Sequence, residues 1–454
     1  MKHLPRASLS LLFLVLTACL NGGAAGPAEQ EETPNVLLVV ADDMRADMLE
    51  DLPELTGWLV DGGTLFREAY ATTPECCPSR ASMMTGQLMH NHGVLSNVGN
   101  YGDRLPERET IQRYLDDRGY LSALFGKFLN GWTLSRTPRF FDEWAFFLRS
   151  SRSYAGGNWN VDGKIRTVDE YYKDFVQRRT LRFLERSESN DDRPWFLYLA
   201  PAAVHTPAVP ERRFEATPVP PWEKGAAVGE DDVSDKWPRL YRTRAKLKNL
   251  QQARAQQIRA ARSLETLMTT IKGELNRLNE DDRTLVIFVS DQGYLWGEHL
   301  LRGKEHPYVE SIHVPFVVRW PGHVEEGATD DRLASTIDVA PTILDAAGVD
   351  EADRHAIDGI SLLGVEGHRR LVLEHISNDF GRPAWSGLLA PSFQFIEYYE
   401  RNGSLAFSEL YDLRRDPAQL DNLMETTPRK LIERAQRLHQ MLMRDQRCAG
   451  ANCP

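Results

Sequence analysis

The sequence predicts an α/β fold: a large mixed, mainly parallel sheet covered by helices on both faces, followed by a small C-terminal α+β domain. Three observations lead there. Four apolar runs of strand length show no polar alternation, which suits strands buried on both faces. A helical stripe, Leu264, Leu267, Met268, Ile271, Leu275 and Leu278, stands just ahead of the fourth run, so helices and strands alternate. At 454 residues, 42% hydrophobic and 26% charged, the chain holds enough apolar material for a sizeable core.

Residues 1–18 read as a targeting segment. Lys2 and Arg6 supply a positive region, and Leu9 to Leu16 an apolar stretch too short for an ordinary membrane span. The segment runs Leu16-Thr17-Ala18-Cys19, which resembles a bacterial lipobox, so Cys19 is expected to carry a lipid that anchors the exported chain in the cell envelope. An ordinary secretory signal is the alternative, and it too exports the protein. Residues 19–33, rich in Gly, Ala and Glu, form a tether, 34–365 the α/β domain that carries the chemistry, and 366–454 the small domain. Net charge is −11 with no block of Lys and Arg, which excludes a nucleic-acid partner.

Each apolar run stops at residues able to do chemistry. Val36 to Val40 stops at Ala41-Asp42-Asp43, and Leu121 to Phe125 at Gly126-Lys127. Trp195 to Ala200 leads through Pro201 to His205, and Leu285 to Val289 stops at Ser290-Asp291-Gln292-Gly293. Ligands of open α/β sheets bind beyond the carboxyl ends of the strands, so these four ends predict one shared site. Residues Glu211 to Asp235 read as a surface insertion, Asp338 to Thr342 opens a short helix, and Asp358-Gly359 is a turn. A last helix starts at Thr427-Pro428 and should bury Leu431, Ala435, Leu438 and Leu442. Phe140 to Phe147, with Trp132, Trp159 and Trp222, is read as core packing rather than a sugar-stacking surface.

Of five cysteines, Cys448 and Cys453 are placed to close a small loop in an oxidising compartment, with free surface thiols as the alternative. Cys76 and Cys77 are adjacent, and neighbours rarely bridge each other. In Pro74-Glu75-Cys76-Cys77-Pro78-Ser79-Arg80, Pro78 is well placed as the first residue of a helix ending at Gly86. Cys76 would then lie just ahead of a helix N-terminus, where amides and dipole favour an anion. A nucleophile beside an oxyanion site is one reading, and a buried structural cysteine pair the default for an arbitrary Cys-Cys.

Cys76-x-Pro78-Ser79-Arg80 resembles the signature of the formylglycine-dependent sulfatases of the alkaline phosphatase superfamily, whose first cysteine is oxidised to an aldehyde by a separate formylglycine-generating enzyme. Further blocks follow in the family's order. These are Asn35 to Asp43, Phe125-Gly126-Lys127, His205-Thr206-Pro207, and Ser290 to Gly293 with Gly297-Glu298-His299, Lys304 and Val314-Pro315. Glu409 to Leu413 and Asp416-Pro417 resemble the C-terminal signature. The doubled cysteine, His90-Asn91-His92, Gly126 to Asn130 and the terminal cysteine pair look most like the N-acetylglucosamine-6-sulfatases and heparan-sulfate endosulfatases.

The resemblance implies an exported hydrolase of sulfate esters on an amino-sugar glycan, and it gives each residue a role. Asp42, Asp43, Asp291 and Gln292 offer only oxygen donors, which suit Ca²⁺, or Mg²⁺, rather than zinc; the aldehyde at Cys76 completes that set. Arg80 would stabilise the aldehyde hydrate, Lys127 and Lys304 would meet sulfate oxygens, and His205 would assist the leaving oxygen as general acid. The sequence departs from the family at Leu129, where many members carry a histidine that assists sulfate release, leaving His299, His92 and His90 as substitutes. Gln292 replaces a commoner Asn or His. Two other readings share these features: a phosphonate monoester or phosphodiester hydrolase of the same fold, and a glycan-binding surface lipoprotein without catalysis.

Overall fold

The computed structural model describes Met1 and residues 33–148, 154–189, 193–242, 247–376, 382–425 and 428–454. The expected leader, Cys19 and nearly all of the tether fall outside those residues. No helix among the described residues is long and apolar enough to cross a membrane.

All four apolar runs are strands. In chain order the main sheet comprises β1 (Asn35–Ala41), β2 (Thr64–Phe66), β3 (Leu121–Lys127), β4 (Glu143–Phe147), β5 (Asn158–Val161), β6 (Lys164–Thr167), β7 (Trp195–Ala200), β8 (Thr284–Ser290), β9 (Phe316–Arg319) and β10 (Ala328–Asp330). Their spatial order is β10-β2-β9-β8-β1-β7-β3-β4-β5-β6. The block β8-β1-β7-β3-β4 is parallel, while β9, β5 and β6 run antiparallel to their neighbours. The four predicted strands are therefore consecutive at the centre, and their carboxyl ends open on one side.

Burial on both faces explains the unbroken apolar runs. Leu37 and Val39 of β1 face a core shared with α2 (Tyr172–Glu188) and α3 (Leu247–Leu278). Val36, Leu38 and Val40 face a second core shared with α1 (Cys76–Thr85) and α4 (Val339–Ala346). The predicted stripe from Leu264 to Leu275 is buried on α3, and Leu278 is half-buried in its last turn. Trp159, Phe146 and Phe147 are fully buried, so those aromatics pack the interior. Trp222 is half-buried against the first core.

A four-stranded antiparallel sheet follows: β11 (Leu371–His375), β12 (Trp385–Ala390), β13 (Phe393–Tyr399) and β14 (Leu405–Tyr411). One face meets α5 (Arg429–Asp445) through Ala435, Leu438 and Leu442, while Leu431 is only half-buried. The other face packs Leu373, Ile396, Tyr398 and Tyr411 against Tyr70, Tyr308 and Ile312 of the α/β part. Cys448 and Cys453 form a disulfide, and Cys76 and Cys77 are free and buried.

Helix α1 differs from its expected start. It begins at Cys76, with Glu75 as N-cap and Pro78 in the third helical position. The first amides of a helix have no partner within it, so a proline anywhere in that turn breaks nothing. Gly86 ends the helix at φ 70°, as expected.

Candidate active site

The site is built by loops that leave the central strands. Asp42 continues β1, but Asp43 takes φ 63°, a left-handed conformation that aspartate tolerates. Successive strand residues point to opposite faces, and this break turns both carboxylates into one group. Lys127 ends β3 directly after Gly126, whose backbone has φ 113° and lies so close to Ala200 that a Cβ would sit 2.0 Å from its carbonyl oxygen. Only glycine allows β3 to approach β7 that closely.

Cys76, on the first residue of α1, is the centre of the group. Lys304 Nζ donates to its Sγ at 2.8 Å and Gln292 Nε2 at 3.3 Å, and Sγ lies 3.7 Å from Asp42 Oδ1. Lys127 Nζ donates to both oxygens of Asp42 at 2.8 Å. Lys304 Nζ also donates to Asp43 Oδ1 at 2.5 Å, an oxygen that accepts from Gln292 Nε2 as well. Asp291 Oδ1 accepts the Asp43 amide at 3.1 Å, and its Oδ2 accepts Arg80 Nε at 2.9 Å. His205 Nε2 lies 3.8 Å from Asp43 Oδ2, while its Nδ1 bonds the Thr206 carbonyl at 2.6 Å. A carbonyl only accepts, so Nδ1 carries the proton and Nε2 faces the site. All the site residues expected from the sequence thus converge.

Burial sets the electrostatics. Asp42, Asp43, Cys76, Arg80, Lys127, Asp291 and Gln292 are essentially inaccessible, whereas the side chains of His205 and Lys304 are 19% and 12% exposed. A substrate must therefore arrive across those two. Burial pushes the Cys76 thiol up to about 11 despite Lys127 and Lys304, so the thiol is protonated at neutral pH. Burial would likewise raise Asp42, but Lys127, His205, Arg80 and Lys304 hold its carboxyl well below the usual range. Burial pushes Asp291 up to about 6 against Arg80, and lowers His205.

Ligating atoms of Asp42, Asp43, Cys76 and His205 lie within 4.8 Å of one another. Asp43 Oδ2 and Gln292 Oε1 are buried without a hydrogen-bond partner. Two buried oxygens left unsatisfied amid carboxylates fit a hard cation. Asp291 is engaged by Arg80 and the Asp43 amide at the edge of this group, and His205 Nε2 stands beside it.

The proposed replacements for a histidine at Leu129 sit elsewhere. His92 bonds Ser82, His299 bonds Glu230, and His90 bonds Glu374 and the Cys448 carbonyl. Leu129 itself is core. Sequence reasoning missed the residues that hold the His205 loop: Tyr154 Oη donates to the carbonyls of Ala202 and His205, and Gln257 Nε2 to that of Val204. A lone tyrosine in a loop and a glutamine on a long helix carry no spacing signal. Two cavities, of about 750 and 460 Å3, are lined respectively around Arg45, Arg67 and His313 and around His90, Glu374 and Arg401, and hold none of the site group.

The sulfatase family model matches residues 34–349, and the model of the N-sulphoglucosamine sulphohydrolase C-terminal region matches 297–447. An extracellular sulfatase SULF-1 homolog of Drosophila melanogaster is 29% identical over 84% of the chain, which spans only 36% of that protein's length. N-acetylglucosamine-6-sulfatase of Homo sapiens is 27% identical, with 100% of this chain and 91% of the relative covered. Among solved structures, BT4656 in complex with its substrate D-glucosamine-2-N,6-O-disulfate superposes with a TM-score of 0.75 at 20% identity, over 91% and 98% of the two chains. A phosphonate monoester hydrolase from Silicibacter pomeroyi superposes at 0.71 with 22% identity, over 91% and 95%. Architecture, site and the match across most of the chain agree, and the protein belongs to the sulfatase family of sulfuric ester hydrolases.

Proposed function

We propose that this chain is an exported sulfatase that hydrolyses a sulfate ester on an amino-sugar glycan resembling N-acetylglucosamine-6-sulfate. The observation that carries the reading is the convergence on Cys76 of Lys127, Lys304, Asp42, Asp43, Gln292 and His205 from strand ends far apart in the chain. Full-length similarity to an N-acetylglucosamine-6-sulfatase and the glucosamine disulfate bound by BT4656 support the amino-sugar class.

Cys76 as a neutral thiol is a poor nucleophile, and its Sγ stands where the oxygens of a hydrated aldehyde would stand. In this reading a formylglycine-generating enzyme, with dioxygen as oxidant, converts the Cys76 thiol to the aldehyde of formylglycine with loss of the sulfur. One hydroxyl of its hydrate would bond to the ester sulfur as the bond to the sugar oxygen breaks, and the other would then lose its proton as sulfate leaves and the aldehyde re-forms. Asp42, Asp43, Gln292 and Asp291 would hold Ca²⁺ or Mg²⁺, which supplies Lewis-acid polarisation when bound. Lys127 and Lys304 then neutralise sulfate oxygens, Arg80 braces Asp291 and the hydrate, and His205, once Nε2 as well as Nδ1 carries a proton, donates from Nε2 to the leaving oxygen. Peptide mass spectrometry of active enzyme should find the aldehyde at residue 76; full activity with an unmodified thiol there rejects the reading. Turnover of defined sulfated saccharides should favour 6-O-sulfated glucosamines.

The second reading is a phosphonate monoester or phosphodiester hydrolase, favoured by the superposition on the Silicibacter pomeroyi enzyme. Parallel assays with aryl sulfate and a phosphonate monoester rank the two. A glycan-binding protein without catalysis leaves the buried assembly of nucleophile and cations without a purpose. Lipid anchoring at Cys19 is part of the proposal, and loss of radiolabelled fatty acid on Cys19→Ser tests it.

A further inference from the structure

His205 stands on a turn with no regular secondary structure, and its ring can serve a leaving group only if that turn is fixed. The turn is held partly by itself: the His205 amide donates to the Ala202 carbonyl at 3.1 Å, and the Ala208 amide to the His205 carbonyl at 2.8 Å. Ala203 and Val204 pair with the backbone of Asp42 at 3.1 and 2.8 Å, which ties the middle of the turn to the aspartate pair. One side chain from outside the turn braces the same two ends. Tyr154 Oη lies 2.9 Å from the Ala202 carbonyl oxygen and 2.8 Å from that of His205, its single proton shared between them. Among the described residues it is the one group outside the turn that bonds either carbonyl.

The phenol is itself fixed. Tyr154 is 4% exposed, and its ring stands edge-on to that of Tyr172, with centroids 5.4 Å apart. Tyr172 in turn accepts the Ala203 amide at 3.2 Å, so the aromatic pair grips the turn at successive residues. Nε2 of His205 borders the more exposed side of the site, and its placement depends on this grip.

We propose that Tyr154 is a positioning residue for His205, its hydroxyl clasping both ends of the turn so that Nε2 is held against the leaving oxygen. The inference rests on the proposed role of His205. Losing the hydroxyl leaves the ring packing intact but leaves the His205 carbonyl held by the Ala208 amide alone. A displacement of about 1 Å at a catalytic group can cost about 10²-fold in rate. A leaving group that departs readily needs little proton assistance, so the loss should depend on the substrate.

The test is a double-mutant cycle of Tyr154→Phe and His205→Ala, with kcat and KM measured on a 6-O-sulfated glucosamine and on nitrophenyl sulfate. Tyr154→Phe should lower kcat on the sugar sulfate about 10- to 100-fold, with KM and nitrophenyl sulfate turnover changed by less than about 3-fold. The double variant should be no slower on the sugar sulfate than His205→Ala alone, because a clasp has nothing left to position. Losses that multiply in the double variant overturn the proposal. If His205→Ala slows both substrates equally, the acid role of His205 fails instead, and the coupling still decides whether Tyr154 acts through it. Should Tyr154→Phe not fold, the same cycle with Gln257→Met, which releases the Val204 carbonyl of the same turn, replaces it.

Discussion

Lys127→Met removes a charge from the interior at nearly constant shape. In the native protein Lys127 Nζ donates to both Asp42 oxygens at 2.8 Å, and both side chains are essentially inaccessible. After substitution, Asp42 keeps Arg80 at 3.7 Å but loses both short bonds. Breaking a buried ion pair from one side costs about 3–5 kcal/mol, because the remaining charge stays desolvated. Unfolding a unit of about 420 residues carries roughly 0.9 kcal/mol per kelvin of entropy, so Tm should fall by about 3–6 °C. Asp42→Asn combined with Lys127→Met should lose much less than the sum. Melts in a chelator at pH 7 check this, and titrating in Ca²⁺ sharpens it. A divalent cation gives Asp42 another counter-charge, so the Tm deficit should shrink with cation. The turnover deficit, about 10²–10³-fold for a lost charge-stabilising donor, should persist. The depressed Asp42 carboxyl contributes stability above the unfolded value of about 3.9 and loses it as pH falls through the lower folded value, so the gap to the variant should close in acid. A chelated Tm within 1 °C of the parent, or a deficit indifferent to Ca²⁺, would refute the reasoning.

Three further outcomes are expected. Asp43→Ala should lose a tightly held alkaline-earth ion by elemental analysis and, with it, the rise in Tm that mass action gives the parent on adding that ion; zinc in active parent enzyme would count against the oxygen donor set. Burial pushes Glu409 up to about 7, so between about pH 4.5 and 7 the folded carboxyl keeps a proton the unfolded one has lost. Stability should therefore fall by up to about 3 kcal/mol as pH rises through that window, and Glu409→Gln should flatten the pH dependence seen in denaturant melts. Cys448→Ser should cost about 2 kcal/mol under oxidising conditions, the expectation for so short a loop, and dithiothreitol should lower the Tm of the parent while leaving the variant unchanged.

What could be read in the sequence follows the physics of burial. β1, β3, β7 and β8 were legible because strands covered on both faces carry unbroken apolar runs, and the chemistry-bearing residues were legible because they stand where those runs stop. The edge of the sheet was not: Lys164–Thr167 is exposed along its whole length, and such a strand has no apolar pattern to show. Neither was the antiparallel β9, whose apolar residues Phe316 to Val318 make a run of only three. Pro78 misplaced the start of α1 by two residues, since proline is tolerated throughout a first turn. Tyr154 and Gln257 were invisible because they act through distant backbone carbonyls, and one sequence carries no trace of such a partnership.

The order β8-β1-β7-β3 has one more consequence. Adjacent strands lie about 4.8 Å apart, a spacing imposed by backbone hydrogen bonds and independent of side chains. Lys127, Asp42 and Asp291, at or one residue past their strand ends, are thereby set at fixed intervals along a ruler some three strand gaps wide, about 14 Å. The long segment between His205 and α3, with its proline-rich stretch near residues 211–235, hangs from that ruler without being part of its calibration. Changes in its length or composition can reshape the approach to the site while the distances among the reacting groups stay put. Access to the site can accordingly drift across related chains at a pace that the groups at the strand ends do not share.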